Sequence, residues 1–201
     1  MPIVVTIDQR RSRESQSLDA PELVNKLNAG KGGPIEHRFE VTIGDELQGV
    51  LDDPSEIVSV IRTTLATGRW WIGVGIGTIE ELASSPRHSS GQAFFEARQA
   101  VTRSKKHRWG IAAEPRDLQA VSLLDGGLAL WATLLGTRTA KGWDAVTLRY
   151  SGLSESEVAE RLGITQQAAH DRLRNATYAE DEVGAALVAA LARQASVAED
   201  A

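Results

Sequence analysis

Thr42-Ile43-Gly44-Asp45-Glu46-Leu47-Gln48-Gly49 sets a glycine and two acids at the tip of an apolar hairpin. From His37 to Ile43 the residues alternate toward a half-buried strand, Leu47 to Leu51 reads as its return, and Gly44-Asp45 falls at the turn. Acids at such a tip must face water or a cation. On the N-terminal side, Pro2-Ile3-Val4-Val5-Thr6-Ile7 reads as a first strand ended by Asp8, followed by a polar loop from Gln9 to Leu18. A helix from about Pro21 to Asn28 is opened by Asp19 and closed by Gly30. On the C-terminal side, Asp53-Pro54-Ser55-Glu56 starts a second helix whose apolar stripe, Ile57, Val58, Val60, Ile61 and Leu65, ends at Gly68. Trp70 to Ile79 is a strand of aromatic and β-branched residues interrupted by Gly73, Gly75 and Gly77. The order β-α-β-β-α-β predicts an α+β chain with a ferredoxin-like, palm-like N-terminal domain.

In that arrangement the hairpin's second strand lies antiparallel beside the first, which makes Asp8 and Asp45 neighbours at one edge of the sheet. Two close carboxylates raise each other's pKa unless a cation neutralises them. Hard oxygen ligands with one or two acids suit Mg²⁺ carried by a nucleotide. Arg10, Arg11, Ser12 and Arg13 follow directly and supply donors for phosphate. The plainer reading is a Gly-Asp turn beside a solvated basic loop.

These residues carry a resemblance. Ile43-Gly44-Asp45-Glu46-Leu47 resembles the GGDEF-type hairpin of diguanylate cyclases and the related palm domains of class III nucleotidyl cyclases. More of the chain is similar to the SatD family of bacterial proteins. The shared features are the strand ending in Asp8, the pair Ser12-Arg13, the Gly-Asp-Glu hairpin, the strand Ile72-Gly73-Val74-Gly75-Ile76-Gly77 and the segment Gly91-Gln92-Ala93-Phe94-Phe95-Glu96-Ala97-Arg98. The resemblance implies a palm in which Asp8 and Asp45, with Glu46 nearby, hold metal, and in which Arg98 matches a phosphate-contacting position. Ile43 stands where a diguanylate cyclase has its first glycine and Leu47 replaces phenylalanine, so ligand binding is expected ahead of catalysis.

The Gly73, Gly75, Gly77 series lacks the spacing of a dinucleotide fingerprint and opens no helix. Alternate glycines bare one face of a strand, and close packing against that face is the expectation. The chain has 201 residues and no cysteine, and its four histidines (His37, His88, His107, His170) lack ligand spacing, which argues against a disulfide framework or a thiolate zinc site. No stretch is long and apolar enough to span a membrane and Met1 leads straight into a strand, so a cytoplasmic protein is expected. The net charge of −5 argues against broad nonspecific nucleic-acid binding. Arg98, Arg103, Lys105, Lys106, His107 and Arg108 form a local basic end on a helix from about Gly91 to Lys106, where the helix dipole favours cations. Trp109 to Ala113 reads as a last strand, and Pro115 is expected to separate a first domain, 1–114, from a second, 115–201.

Past Asp117 the pattern is helical. Leu118, Val121, Leu124, Leu128 and Trp131 recur at helical spacing through a segment weakened at Gly126-Gly127, and Trp143, Val146 and Leu148 suggest a helix after Gly142. In Ser154 to Leu173, Ser154 and Glu157 form a capping box, Val158 and Leu162 a buried face, and Gly163 a left-handed turn residue. Small Ala159 permits a close crossing, Thr165 caps the next helix, and Ala169 and Leu173 face inward. The segment resembles the helix-turn-helix of sigma-factor region four. In a DNA complex its second helix would present Thr165, Gln166, Gln167, His170, Arg172 and Arg174 to the major groove. Glu155, Glu157, Glu160, Asp171, Glu180, Asp181 and Glu182 make the region acidic and favour the competing use of the motif in packing. The tail from Glu182 to Gln194 reads as an amphipathic helix for dimerisation or domain packing.

The leading expectation is a DNA-binding regulator, dimeric, with a palm that takes a Mg²⁺-nucleotide. The rival is a nucleotidyl-transfer enzyme with carboxylate-held metal, and the third reading is a partner-binding adaptor.

Overall fold

β1 (Ile3–Gln9) is the central strand of a five-stranded sheet of order β2-β3-β1-β4-β5 in the computed structural model. The structure describes residues 1–10, 19–29, 37–67 and 70–197. Ser12 and Arg13 lie outside the described residues, as do Arg11, Gly30 and Gly68. β3 (Leu47–Val50) pairs antiparallel with β1 in the register Ile7↔Leu47, and β4 (Trp70–Ile76) flanks β1 antiparallel on its other side. β5 (Ile111–Glu114) runs parallel to β4 and extends the sheet.

β2 shortens to Glu40–Val41 although alternation begins at His37. The Asn28 side chain explains this, because it bonds both the N–H (2.9 Å) and the carbonyl (2.7 Å) of Phe39 and diverts them from strand pairing. The Phe39 ring then lies over Gly49, where an added Cβ would sit 2.7 Å from it.

One sheet face, formed by residues such as Ile3, Val5, Ile7, Ile72, Val74 and Ile111, packs beneath α1 (Asp19–Asn28), α2 (Ile57–Leu65), α4 (Gln119–Leu135) and α8 (Tyr178–Val197). The opposite face carries Val4 and Val50 and is covered by α3 (Gln92–Ser104) through Ala93, Phe94 and Ala97. The glycine series makes that cover possible. A Cβ on Gly73 would lie 2.2 Å from the Val101 nitrogen and one on Gly75 would lie 2.1 Å from the Ala93 oxygen, so α3 rests on bare strand backbone.

Strand signals end at Pro115, but packing does not divide there. α4 and α8 join the core of the sheet, and the second buried cluster belongs to α5 (Ala140–Tyr150), α6 (Glu155–Leu162) and α7 (Gln166–Asn175), with Ala145, Val146, Val158, Ala169 and Leu173 at its centre. α4 runs unbroken through Gly126-Gly127, and Gly127 admits α8, since a Cβ there would meet Leu191 Cδ1 at 2.7 Å. α5 starts ahead of Gly142 because Thr139 caps it, accepting from the Gly142 N–H at 3.1 Å. It leaves α4 at a bend of 117°. Among the described residues, no single helix is long and apolar enough to cross a membrane. The chain is a mixed α+β fold.

Candidate functional site

The C-terminal end of β1, the β2–β3 turn, the start of β4 and the end of α3 meet at one edge of the sheet. In the turn, the Glu46 N–H donates to the Ile43 carbonyl at 3.0 Å and Gly44 takes φ 64°, which a side chain would disfavour. Continuing the Ile7↔Leu47 register by one step sets Asp8 opposite Glu46, with Asp45 next to it at the tip. The three acids meet different partners. Asp8 forms an ion pair with Lys105, which extends from the end of α3. Glu46 Oε1 accepts from the Thr42 hydroxyl at 3.0 Å. Asp45 Oδ2 is shielded from solvent and has no hydrogen-bond partner. Among the described residues, no group of three or more His, Cys, Asp or Glu side chains is arranged to hold a metal.

Of the basic residues expected here, Arg10 lies at this edge, with its Nε donating to the Trp70 carbonyl at 2.8 Å and its guanidinium stacked 3.9 Å from the Trp71 ring centroid. Arg98 is exposed on α3, about 10 Å back along the helix from Lys105. Lys105 is the cation that reaches Asp8. The sequence placed it at the basic helix end without a partner, because its contact spans most of the first hundred residues.

The second candidate surface is α6, its turn and α7. Ser154 accepts from the Glu157 N–H at 3.3 Å while Glu157 accepts from the Ser154 N–H at 2.7 Å, closing a capping box. Gly163 adopts φ 64° and the Ile164 N–H returns to the Ala159 carbonyl at 3.0 Å, so the turn satisfies the helix end. Thr165 caps α7 by accepting from the Ala168 N–H at 3.2 Å. Ala169 and Leu173 are buried, whereas Thr165, Gln166, Gln167, His170 and Arg174 are exposed and Arg172 is half-buried. His170 Nδ1 lies 3.1 Å from Glu155 Oε1 and Arg174 pairs with Asp171 at 3.0 Å. A shallow groove of about 370 Å³ runs past Glu155, Gln166, Gln167, His170 and Arg174.

Between these surfaces lies a buried polar centre that the sequence did not reveal. Asp181 is fully buried and accepts from Trp131 Nε1 at 2.8 Å, from Arg138 at 2.9 Å and from the Tyr150 hydroxyl. Arg62 reaches the same carboxylate at 3.1 Å and Glu182 at 2.6 Å. Arg138 also donates to the Ala176 carbonyl at 2.7 Å and to Tyr150 at 2.6 Å. α2, α4, α5 and the α7–α8 junction are thereby fastened to one carboxylate. Burial opposes its charge, but the bonds from Tyr150 and Arg138 and the charges of Arg138 and Arg62 outweigh it and hold Asp181 below its ordinary value. Burial, together with the neighbouring Asp181, pushes the Tyr150 phenol well above its ordinary value.

Comparison of the chain with protein-family models, with curated proteins and with solved structures found no match.

Proposed function

We propose that the chain is a DNA-binding regulatory protein, a ferredoxin-like palm of the SatD type that carries a helix-turn-helix formed by α6 and α7. The observation that carries this reading is the division of α7 into two faces: Ala169 and Leu173 fill the core while Gln166, Gln167, His170 and Arg174 stand in solvent around a groove. Glutamine pairs bidentately with adenine and arginine reads guanine or clamps phosphate. His170 and Arg174 are held by Glu155 and Asp171, and DNA phosphates take the place of those carboxylates on binding. The test is a footprint of genomic fragments at low salt, followed by titration across ionic strength. Arg172→Ala combined with Arg174→Ala weakens binding and flattens the slope of log K against log salt by about 2, one unit for each lost phosphate contact. A double variant that binds like wild type ends the reading.

Asp45 supports a second role for the same protein. Its unpartnered Oδ2 beside Asp8 and Glu46 fits Mg²⁺ that arrives with a nucleotide, because Mg²⁺ takes one or two carboxylates and completes its shell with water and phosphate. Asp8 and Asp45 hold the ion, with Lys105 turning from Asp8 to phosphate. Titration calorimetry with Mg²⁺-GTP tests it: heat appears in the wild type, and Asp45→Asn removes the Mg²⁺-dependent part while leaving the fold intact. A cyclic or linked product lost with Asp45→Asn would make the palm an enzyme of nucleotidyl transfer instead.

A further inference from the structure

A cleft of about 490 Å³ opens where the sheet's edge, the end of α2 and the corner between α4 and α5 come together. Its volume lies within the range of sites that enclose a small organic ligand. Arg10, Arg108 and Arg138 line it together with Trp109 and Trp143, and no Asp or Glu among the described residues does so, in a chain whose acids outnumber its Lys and Arg by 27 to 22.

The three arginines differ in what already neutralises them. Arg138 is committed to Asp181. Arg10 is half-withdrawn from water, with its Nε on the Trp70 carbonyl and no carboxylate partner among the described residues. Arg62 and Arg103 are withdrawn to a similar degree, yet carboxylates hold the pKa of both above the ordinary value. Arg108 is exposed at the rim and has no ion pair among the described residues. Two cations with no carboxylate partner among the described residues therefore face a cavity walled by two indoles. Each indole has a partner for only part of its surface: His107 stacks on Trp109 at 4.6 Å and Arg138 lies 4.8 Å from the Trp143 ring centroid. The hydroxyl hydrogens of Thr67, Thr133 and Thr137 are directed to helix carbonyls, which leaves their oxygens as acceptors toward the cleft.

We infer that this cleft binds a small anion bearing a planar ring, of the nucleoside monophosphate class, with its phosphate on Arg10 and Arg108 and its ring between Trp109 and Trp143. Guanidinium pairs bidentately with phosphate, and tryptophan offers the best face for a stacked ring. The site needs no metal, and none of Asp8, Asp45 and Glu46 lines it, so it goes beyond the Mg²⁺-nucleotide reading.

The test is tryptophan fluorescence and calorimetry on the full chain without DNA and with EDTA, using AMP, GMP, adenosine, guanosine and inorganic phosphate as probes. At least one monophosphate binds at submillimolar concentration and changes the emission, while its nucleoside and inorganic phosphate bind at least tenfold more weakly. Arg108→Ala weakens the monophosphate at least tenfold with an unchanged melting temperature, and Asp45→Asn leaves its affinity unchanged. The inference is overturned if neither monophosphate binds at 10 mM (roughly −2.7 kcal/mol), if inorganic phosphate binds equally well, or if Arg108→Ala binds like wild type. Loss of binding with Asp45→Asn but not with Arg108→Ala would assign the nucleotide to the hairpin instead.

Discussion

Asp181 shows how far one side chain's meaning depends on its neighbours. In sequence it sits in Glu180-Asp181-Glu182, among the acids that make the C-terminal region acidic. Its partners Tyr150, Arg138, Trp131 and Arg62 lie 31, 43, 50 and 119 residues away, so nothing local marks it as buried. Removing one member of a buried pair leaves the other charge unpaired, and Asp181→Asn is expected to cost about 3–5 kcal/mol in urea unfolding at neutral pH. The pH dependence follows from the direction of the shift. Its folded pKa lies below the ordinary 3.8, so the stability it adds is complete above that value and is lost as pH falls through it toward the folded pKa. Unfolding free energies measured from neutral pH to pH 3 should therefore fall less steeply in Asp181→Asn than in wild type. Gly75 is the opposite case, legible from alternation alone. A Cβ there would lie 2.1 Å from backbone, and Gly75→Ala is expected to destabilise by about 1–3 kcal/mol or more, read as a lowered denaturation midpoint with an unchanged slope.

At the scale of elements, the chain is most legible where its signals are contiguous. Ser154, Glu157, Gly163 and Thr165 specify two helix starts, a stop and a turn within twelve residues, and each bonds as its type predicts. β2 is shorter than its alternation predicts because Asn28, on another element, takes the Phe39 bonds that alternation assigns to the ladder. Gly163 has open space around it, so backbone conformation alone sets the cost of a side chain there. Gly163→Ala is expected to destabilise by about 1–2 kcal/mol, the cost of a left-handed residue with a Cβ, and Gly163→Asn by less. Thermal unfolding of the pair checks the order. If alanine matches glycine, the turn does not depend on φ 64°.

For the whole molecule, local signals give helices but not the surfaces on which they dock. The pattern of α8 anticipates a packing helix, and it packs on α4 over the sheet, where Gly184 admits the Trp131 ring 2.6 Å from an added Cβ. The α6–α7 unit is thereby built onto the core of the sheet through α4, α5 and α8, and a change at the sheet has a packed route to α7. This arrangement leaves a row uncovered. Leu123 and Leu130 on α4 are 49% and 76% exposed, and Val183 and Leu187 on α8 are 71% and 53% exposed, with the Gly127–Leu191 contact holding the two helices side by side. An exposed apolar row can face its own copy across a twofold axis, and a single helix-turn-helix gains from a second half-site. We therefore expect a homodimer seamed by α4 and α8. Light scattering should give twice 21.7 kDa for the wild type and 21.7 kDa for Leu130→Glu combined with Leu187→Glu. The double variant should keep its far-ultraviolet spectrum, since both side chains already stand in water in one copy, and lose affinity for a two-half-site duplex more than for a single half-site. A wild type that remains at 21.7 kDa at micromolar concentration would show that α4 and α8 face water in a monomer.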